Sequence, residues 1–263
     1  MHMLQVLSCP SAALATNVPV AVLAPPDHAI SGRRYAVLTL LHGLSDTFMC
    51  WLDYTRIRHY VANLRLIVVM PQCGRSFYIN TVDGLRVEDF LVDDLPAFIA
   101  ERYATIGTRE SRAIGGLSMG GYGALMLALR HRESWGMAFS HSGAVGAPRW
   151  VEDPPNIGVF GPKGSPTRVD HDLFSLIEQR SGQLPLMHLD CGIEDFLLEE
   201  NRALHRAMQS SQIPHIYREH PGGHSWRYCD ENLPSSLRWL CRHLHGECDP
   251  ELDGMTILDE PAT

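Results

Sequence analysis

The chain has 263 residues, enough for one large α/β domain with a sizeable core, and 45% of them are hydrophobic, as in an ordinary globular protein. No apolar run approaches the ~20 residues that a membrane helix needs, and nothing in the composition has the basic bias of a nucleic-acid-binding protein. The formal charge of −8 is concentrated at one end: Glu247, Asp249, Glu251, Asp253, Asp259 and Glu260 fall in the last 17 residues with no Lys or Arg among them. Residues 246–263 therefore read as an acidic, disordered tail, and the body, residues 1–245, carries a charge near −2.

The first residues, Met1 to Ala24, lack a basic start and contain Asn17 and two prolines, which is not the pattern of a signal peptide. The seven cysteines are an odd count without paired spacing, so free thiols in the cytoplasm are expected. With no C-x-x-C and no H-E-x-x-H, no structural or catalytic zinc site is expected.

In chain order, Leu4–Leu7 and Val18–Leu23 read as two strands separated by a polar turn, and the apolar run Tyr35–Leu41 reads as a strand buried on both faces. Residues 48–62 place Trp51, Tyr54, Ile57 and Val61 at helical spacing. Leu66–Met70 is a further buried strand closed by Pro71, and residues 73–84 form a polar, aromatic loop. Residues 88–102 read as a helix in which Pro96 marks a kink or a new start. Arg112–Gly115 is strand-like, Ala124–Leu129 helical and Gly136–Ser140 a strand. Residues 144–170 hold five prolines and four glycines and lead to a short helix around Asp172–Gln179, so 144–182 is expected to be a short, loop-rich cap over the active edge. A strand at Leu186–Leu189, a helix over 196–210, a strand at His215–Glu219 and a closing helix over 234–245 complete the chain. Alternating strands and helices of these lengths predict an α/β fold with a mostly parallel central sheet covered on both faces.

The chemistry centres on Gly116-Leu117-Ser118-Met119-Gly120, a G-x-S-x-G pattern between a strand and a helix. That context makes Ser118 a nucleophile candidate at a tight turn, over a helix N-terminus that favours negative charge. A serine hydroxyl needs a base, and in this architecture the partners follow in the order Ser, acid, His. Asp195, after one strand, and His224, behind Pro221-Gly222-Gly223 after the last strand, occupy those places at strand carboxyl ends. Asp195 would alternatively serve only as a helix cap; Asp190 and Glu194 are rival acids, and His224 has an ordinary turn histidine as its alternative. Two N–H donors must face the developing oxyanion. Met119, directly after the serine, and Leu44, in the loop after the Tyr35–Leu41 strand, are the candidates. Trp150, Phe160 and Phe174 in the cap, and Trp226 beside His224, are candidate pocket walls; simple packing is the alternative for the cap residues.

Four blocks in this order, His42–Asp46, Gly116–Ala124, Cys191–Leu197 and Pro221–Trp226, resemble the putative esterase family. That family includes the esterase D group (S-formylglutathione hydrolases), tributyrin-type esterases, feruloyl and acetylxylan esterases, and mycolyltransferases. The resemblance covers roughly residues 5–245. It implies an α/β-hydrolase fold, a Ser118–Asp195–His224 triad, no cofactor, and a small-molecule ester or thioester as substrate. The likeness is strongest to the tributyrin-type esterases, through Gly-Leu-Ser-Met-Gly-Gly-Tyr, the Trp51 helix and Val159-Phe160-Gly161. Two departures stand out. Ser225 and Cys229 replace the Asp and second Trp that usually follow the family histidine, and Ser45-Asp46 replaces the Thr-Cys of the esterase D group. The expected activity is hydrolysis of short-chain acyl esters. S-formylglutathione hydrolysis and acyl transfer are the rivals on the same machinery, and a non-catalytic binding protein is the rival of a different class.

Overall fold

In the computed structural model, which describes residues 2–151, 154–179 and 183–244, eight strands form one sheet in the order β1-β2-β4-β3-β5-β6-β7-β8. They are β1 (Met3–Ser11), β2 (Thr16–Ala24), β3 (Ala36–Leu41), β4 (Leu66–Pro71), β5 (Arg112–Leu117), β6 (Met137–His141), β7 (Leu186–Gly192) and β8 (Ile216–His220). The hairpin β1–β2 is antiparallel and β2 runs antiparallel to β4. From β4 to β8 every neighbour is parallel. The helices are α1 (Cys50–Tyr54), α2 (Ile57–Tyr60), α3 (Val87–Asp89), α4 (Leu95–Arg102), α5 (Met119–Arg130), α6 (Pro154–Phe160), α7 (Pro166–Asp170), α8 (Leu173–Glu178), α9 (Leu198–Ser210) and α10 (Trp226–His243).

The sheet separates two cores. Along β2, Val20 and Val22 join one apolar cluster while Ala21 and Leu23 join the other; along β4, Ile67 and Val69 oppose Val68 and Met70. Side chains alternate across a strand, so an unbroken apolar run signals burial on both faces. α4, α5, α8 and α9 pack on the first face, and α2 and α10 on the second. α5 is buried on nearly every side, from Met119 to Leu129, because the sheet lies on one side of it and the cap on the other.

Several elements depart from the sequence expectation. The helix expected over 48–62 is two short helices. Thr55 interrupts it, its hydroxyl donating to the Trp51 carbonyl and accepting the Ile57 N–H at 3.2 Å; such local side-chain bonds compete with helical ones. In the 88–102 segment Pro96 opens a new α-helical stretch, α4, preceded by a π-helical turn at Phe90–Asp94. The closing helix begins at Trp226, not 234. Ser225 caps it by accepting the Tyr228 N–H at 3.2 Å, and Pro234 lies inside it. A proline removes the hydrogen bond to the carbonyl four residues back. Here that carbonyl, of Asp230, takes the Tyr60 hydroxyl at 3.2 Å instead.

The cap is helical rather than loop-rich: a 3-10 turn at Ala147–Arg149 precedes α6, α7 and α8. Its prolines mark helix starts, with Pro166 opening α7 behind a Ser165 cap. Arg168, buried, ties the cap together by donating to the carbonyls of Gly161 (2.8 Å), Pro148 (2.7 Å) and Asn156 (3.4 Å). The cap is also fastened to the body. The Tyr122 hydroxyl donates to the His171 carbonyl at 2.8 Å. Buried Glu88 meets Arg130 Nε at 2.8 Å, His131 Nε2 at 2.7 Å and His171 Nε2 at 2.9 Å. Burial alone would raise the Glu88 carboxyl; these three partners outweigh it and hold it below the usual carboxylate range. The acidic tail expected over 246–263 lies outside the described residues. Among the described residues, no helix is long and apolar enough to cross a membrane.

Candidate active site

The carboxyl ends of β3, β5, β7 and β8 bring four loops together. β5 leads straight into Ser118, which has φ 58° and ψ −116° and stands directly before α5. The turn is that tight because its glycines allow it. A Cβ on Gly116 would overlap the Gly120 backbone, and a Cβ on Gly120 would overlap the Leu41 carbonyl at the end of β3. The backbone around Ser118 is held on both sides: its N–H donates to the His141 carbonyl at 3.0 Å, and its carbonyl takes the Ala144 N–H at 2.9 Å.

The Ser118 Oγ lies 2.9 Å from His224 Nε2. The other ring nitrogen, Nδ1, lies 2.8 Å from Asp195 Oδ2. Asp195 is buried, and its second oxygen accepts the Leu197 N–H at 2.8 Å. Burial pushes its carboxyl up, but the hydrogen bonds from His224 and the Leu197 N–H more than compensate and keep it below the usual range, hence ionised. Asp195 is not the helix cap: α9 starts at Leu198 behind Leu197, and the bond to the Leu197 N–H is a local turn that holds one carboxylate oxygen while the other faces His224.

The rival acids are elsewhere. Asp190 is fully buried behind the site, 2.7 Å from His141 Nδ1 and 2.9 Å from the Tyr228 hydroxyl. Glu194 accepts the Gly222 N–H while its own N–H donates to the Gly222 carbonyl at 3.1 Å, which brackets the loop that carries His224.

In the loop after β3, Asp46 Oδ2 accepts the Gly43 N–H at 3.0 Å, and Asp46 Oδ1 faces Trp226 Nε1 at 3.4 Å. His42 braces the loop from below: Nδ1 faces the Gly43 carbonyl at 2.8 Å and Nε2 accepts the Cys73 N–H at 3.1 Å. Burial lowers the pKa of its ring, in keeping with a neutral imidazole in that position. With the Gly43 N–H taken by Asp46 and the Asp46 N–H by the Gly43 carbonyl, the Leu44 and Ser45 N–H groups of this loop have no acceptor among the described residues, and Leu44 is the nearer of the two to β3. The Met119 N–H, first in α5, belongs to the helical turn whose N–H groups have no intrahelical partner. Asp46, one of the two departures from the esterase D pattern, is therefore part of what shapes this loop.

Beyond Leu44 opens a cavity of about 270 Å³ between residues 73–85 and α6, bordered by Phe77, Thr81, Asp83, Asn156 and Val159 among others. None of the four expected wall residues borders it. Phe160 is fully buried under Phe77 and Tyr122. Phe174 lies beneath the Arg149 guanidinium at 3.8 Å. Trp150 donates to Glu200 Oε1 at 2.7 Å. Trp226 packs edge-on against Trp51. Two residues that the sequence reading did not single out lie close by: Asn156 at the cavity and Phe196 beside His224. Phe196 is 76% exposed with its ring against His224, and an aromatic directly after the candidate acid was the signal the sequence offered. Among the described residues, no group of three or more His, Cys, Asp or Glu is placed to hold a metal ion.

Residues 11–240 match the family described as Putative esterase. The chain belongs to that family. An acetyl esterase of Caldicellulosiruptor saccharolyticus is 28% identical over 230 residues, 81% of this chain and 86% of that protein. An esterase of Mycobacterium tuberculosis is 30% identical over 248 residues, 82% of this chain but 54% of the relative, so the chain spans about half of that protein's length. Among solved structures, a fluorophosphonate-binding serine hydrolase of Staphylococcus aureus superposes with a TM-score of 0.85 at 24% identity, covering 91% of this chain and 98% of that one. An S-formylglutathione hydrolase of Agrobacterium tumefaciens does so with 0.83 at 23%, covering 93% and 96%. The fold of this esterase is the α/β-hydrolase fold, and its enzyme class is carboxylic-ester hydrolase.

Proposed function

We propose that this esterase hydrolyses short-chain acyl esters through Ser118, His224 and Asp195. The observation that carries the reading is the unbroken line from Ser118 Oγ to His224 Nε2 at 2.9 Å and from His224 Nδ1 to Asp195 at 2.8 Å. His224 takes the Ser118 proton as Oγ forms a bond to the acyl carbon, and the carbonyl electron pair moves onto oxygen. The Leu44 and Met119 N–H groups hold that oxyanion. His224 then protonates the alcohol oxygen as its bond to the acyl carbon breaks, leaving an acyl-serine. Water, deprotonated by His224, repeats the two steps and releases the acid. Asp195 keeps the imidazole in the tautomer with Nε2 free to accept and stabilises the imidazolium. A single oxyanion donor is worth roughly 100- to 1,000-fold in rate in sites of this kind.

The short-chain reading draws support from the modest cavity beyond Leu44 and from the relative named an acetyl esterase. S-formylglutathione hydrolysis is the second reading, supported by the hydrolases of that name among the structural neighbours. A cytoplasmic location is part of the same proposal and rests on the six described cysteines, all free. Hydrolysis of p-nitrophenyl acetate, butyrate, octanoate and palmitate beside S-formylglutathione, by wild type and Ser118→Ala, tests it. Short oxygen esters should lead by more than ~10-fold and the variant should be inactive. Activity that rises steadily out to palmitate removes the short-chain assignment, and an active variant removes the nucleophile.

A further inference from the structure

We propose that the cavity beyond Leu44 receives the acyl group of the substrate and that Asn156 gives that group a hydrogen bond, so that acyl chains bearing an oxygen acceptor are preferred over plain alkyl chains. This rests on the Ser118 reading above.

The direction follows from the chemistry. The leaving oxygen must take its proton from His224, so the alcohol part lies on the His224 side. The carbonyl oxygen lies against the Leu44 and Met119 N–H groups. The acyl chain takes the remaining direction. The cavity begins at Leu44, and none of its bordering residues comes from the loops carrying Asp195 and His224.

The polarity of the cavity sets the preference. Asn156 borders it, is 1% exposed, and its Nδ2 is buried without an acceptor among the described residues. Buried amide donors are almost always paired, with protein, water or ligand. The backbone that carries it is pinned, because its main-chain carbonyl accepts from Arg168, whose guanidinium also holds the carbonyls of Gly161 and Pro148. Thr81 and Asp83, joined by a hydrogen bond, and Arg75 add polar groups to the same wall, while Phe77 and Val159 supply the apolar part. A site built only for a hydrocarbon tail has no use for this donor. The Nδ2 group donates, so an ether, keto or hydroxyl oxygen two or three atoms from the carbonyl carbon would accept from it.

The test uses p-nitrophenyl methoxyacetate and p-nitrophenyl butyrate, which differ by one oxygen in place of a methylene. For each, kcat/KM is measured per active site, with sites counted by a serine-reactive phosphonate. The ratio of the two values is compared with the ratio for hydroxide-catalysed hydrolysis, which corrects for intrinsic reactivity. In the wild type the enzymatic ratio should exceed the hydroxide ratio by about 5-fold or more. A ratio no higher than that of hydroxide overturns the proposal without any variant. In Asn156→Leu the loss should be about 10-fold for the methoxyacetate and under ~2-fold for the butyrate. Equal losses on both would mean that Asn156 only supports the cap, and the proposal fails. Absence of phosphonate labelling in the wild type would instead sink the Ser118 reading, a separately visible outcome.

Discussion

The ring of Phe196 lies 4.7 Å from the imidazole of His224, centroid to centroid and tilted by 51°, although 76% of the residue is open to solvent. A large apolar side chain left outside the core beside His224 would, in the proposed mechanism, meet the alcohol part of the substrate and the cationic imidazole. An aromatic ring near an exposed cation is worth about 0.5–1 kcal/mol. Phe196→Ala should therefore lower kcat/KM about 2- to 5-fold on esters of every chain length. Thermal stability should hold, because little buried area is lost. A drop in melting temperature with unchanged kinetics would assign the ring to packing alone.

Two buried aspartates near the site should separate by readout. Asp195→Asn removes the group that orients His224, and by analogy with the serine-protease triad kcat should fall on the order of 10,000-fold with the fold intact. Asp190→Asn leaves His141 and Tyr228 without their buried carboxylate. Loss of one partner of such a pair costs about 3–5 kcal/mol, so stability to urea should suffer first. The reverse assignment, with Asp190→Asn fully stable and dead, would make Asp190 the acid of the reaction.

Gly120→Ala tests the elbow. In an exposed helix, alanine would gain about 1 kcal/mol over glycine. Here the added Cβ would overlap the Leu41 carbonyl, and overpacking against backbone costs about 3 kcal/mol, so the net effect should be destabilising by about 2 kcal/mol. Urea denaturation of the two proteins measures it; a gain in stability would show that β3 yields freely to α5.

Acid should weaken the protein well before its carboxylates titrate. His188 is buried against Trp239, with Asp190, His141, Arg218 and His220 around it. Burial lowers its pKa to about 4, partly opposed by Asp190. The unfolded chain titrates near 6.5. Between those values the unfolded state binds the proton and the folded state does not, so this stability is present at pH 7 and is lost as the pH falls from about 6.5 to about 4. From pH 7 to pH 5, wild type should lose about 2 kcal/mol more than His188→Gln. Equal losses would mean that His188 takes up its proton in the folded state.

Much of this was readable in the sequence because the relevant signals are local. Both-face strands such as Leu66–Met70 announce themselves as apolar runs, and the glycines around Ser118 mark a turn that other residues would block. Other features were not read this way, for different reasons. The exchange that places β4 outside β3, with β2 antiparallel against it, depends on long-range pairing. Pro234 reads as a helix start, and only Tyr60, 170 residues away along the chain from Asp230, explains why the helix passes through it. The prolines of the cap suggested loops, whereas Pro166 with its Ser165 cap opens a helix. The choice among Asp190, Glu194 and Asp195 likewise needed the fold, because all three lie within one loop and its strand, and only geometry says which of them faces His224.

Tyr122 lies in the first turns of α5, and its hydroxyl carries the His171 carbonyl, while Glu88 bridges the far end of α5 to the same histidine. Cap and elbow are for that reason not interchangeable modules. A chimera that took its cap from another esterase would have to bring a carbonyl for Tyr122 and an imidazole for Glu88. Without them it would strand a hydroxyl and a carboxylate under the floor on which Ser118 stands. With the acyl chain in the cavity as proposed, changes in substrate range would be more accessible through single residues along 73–85 and α6 than through exchange of the cap as a block.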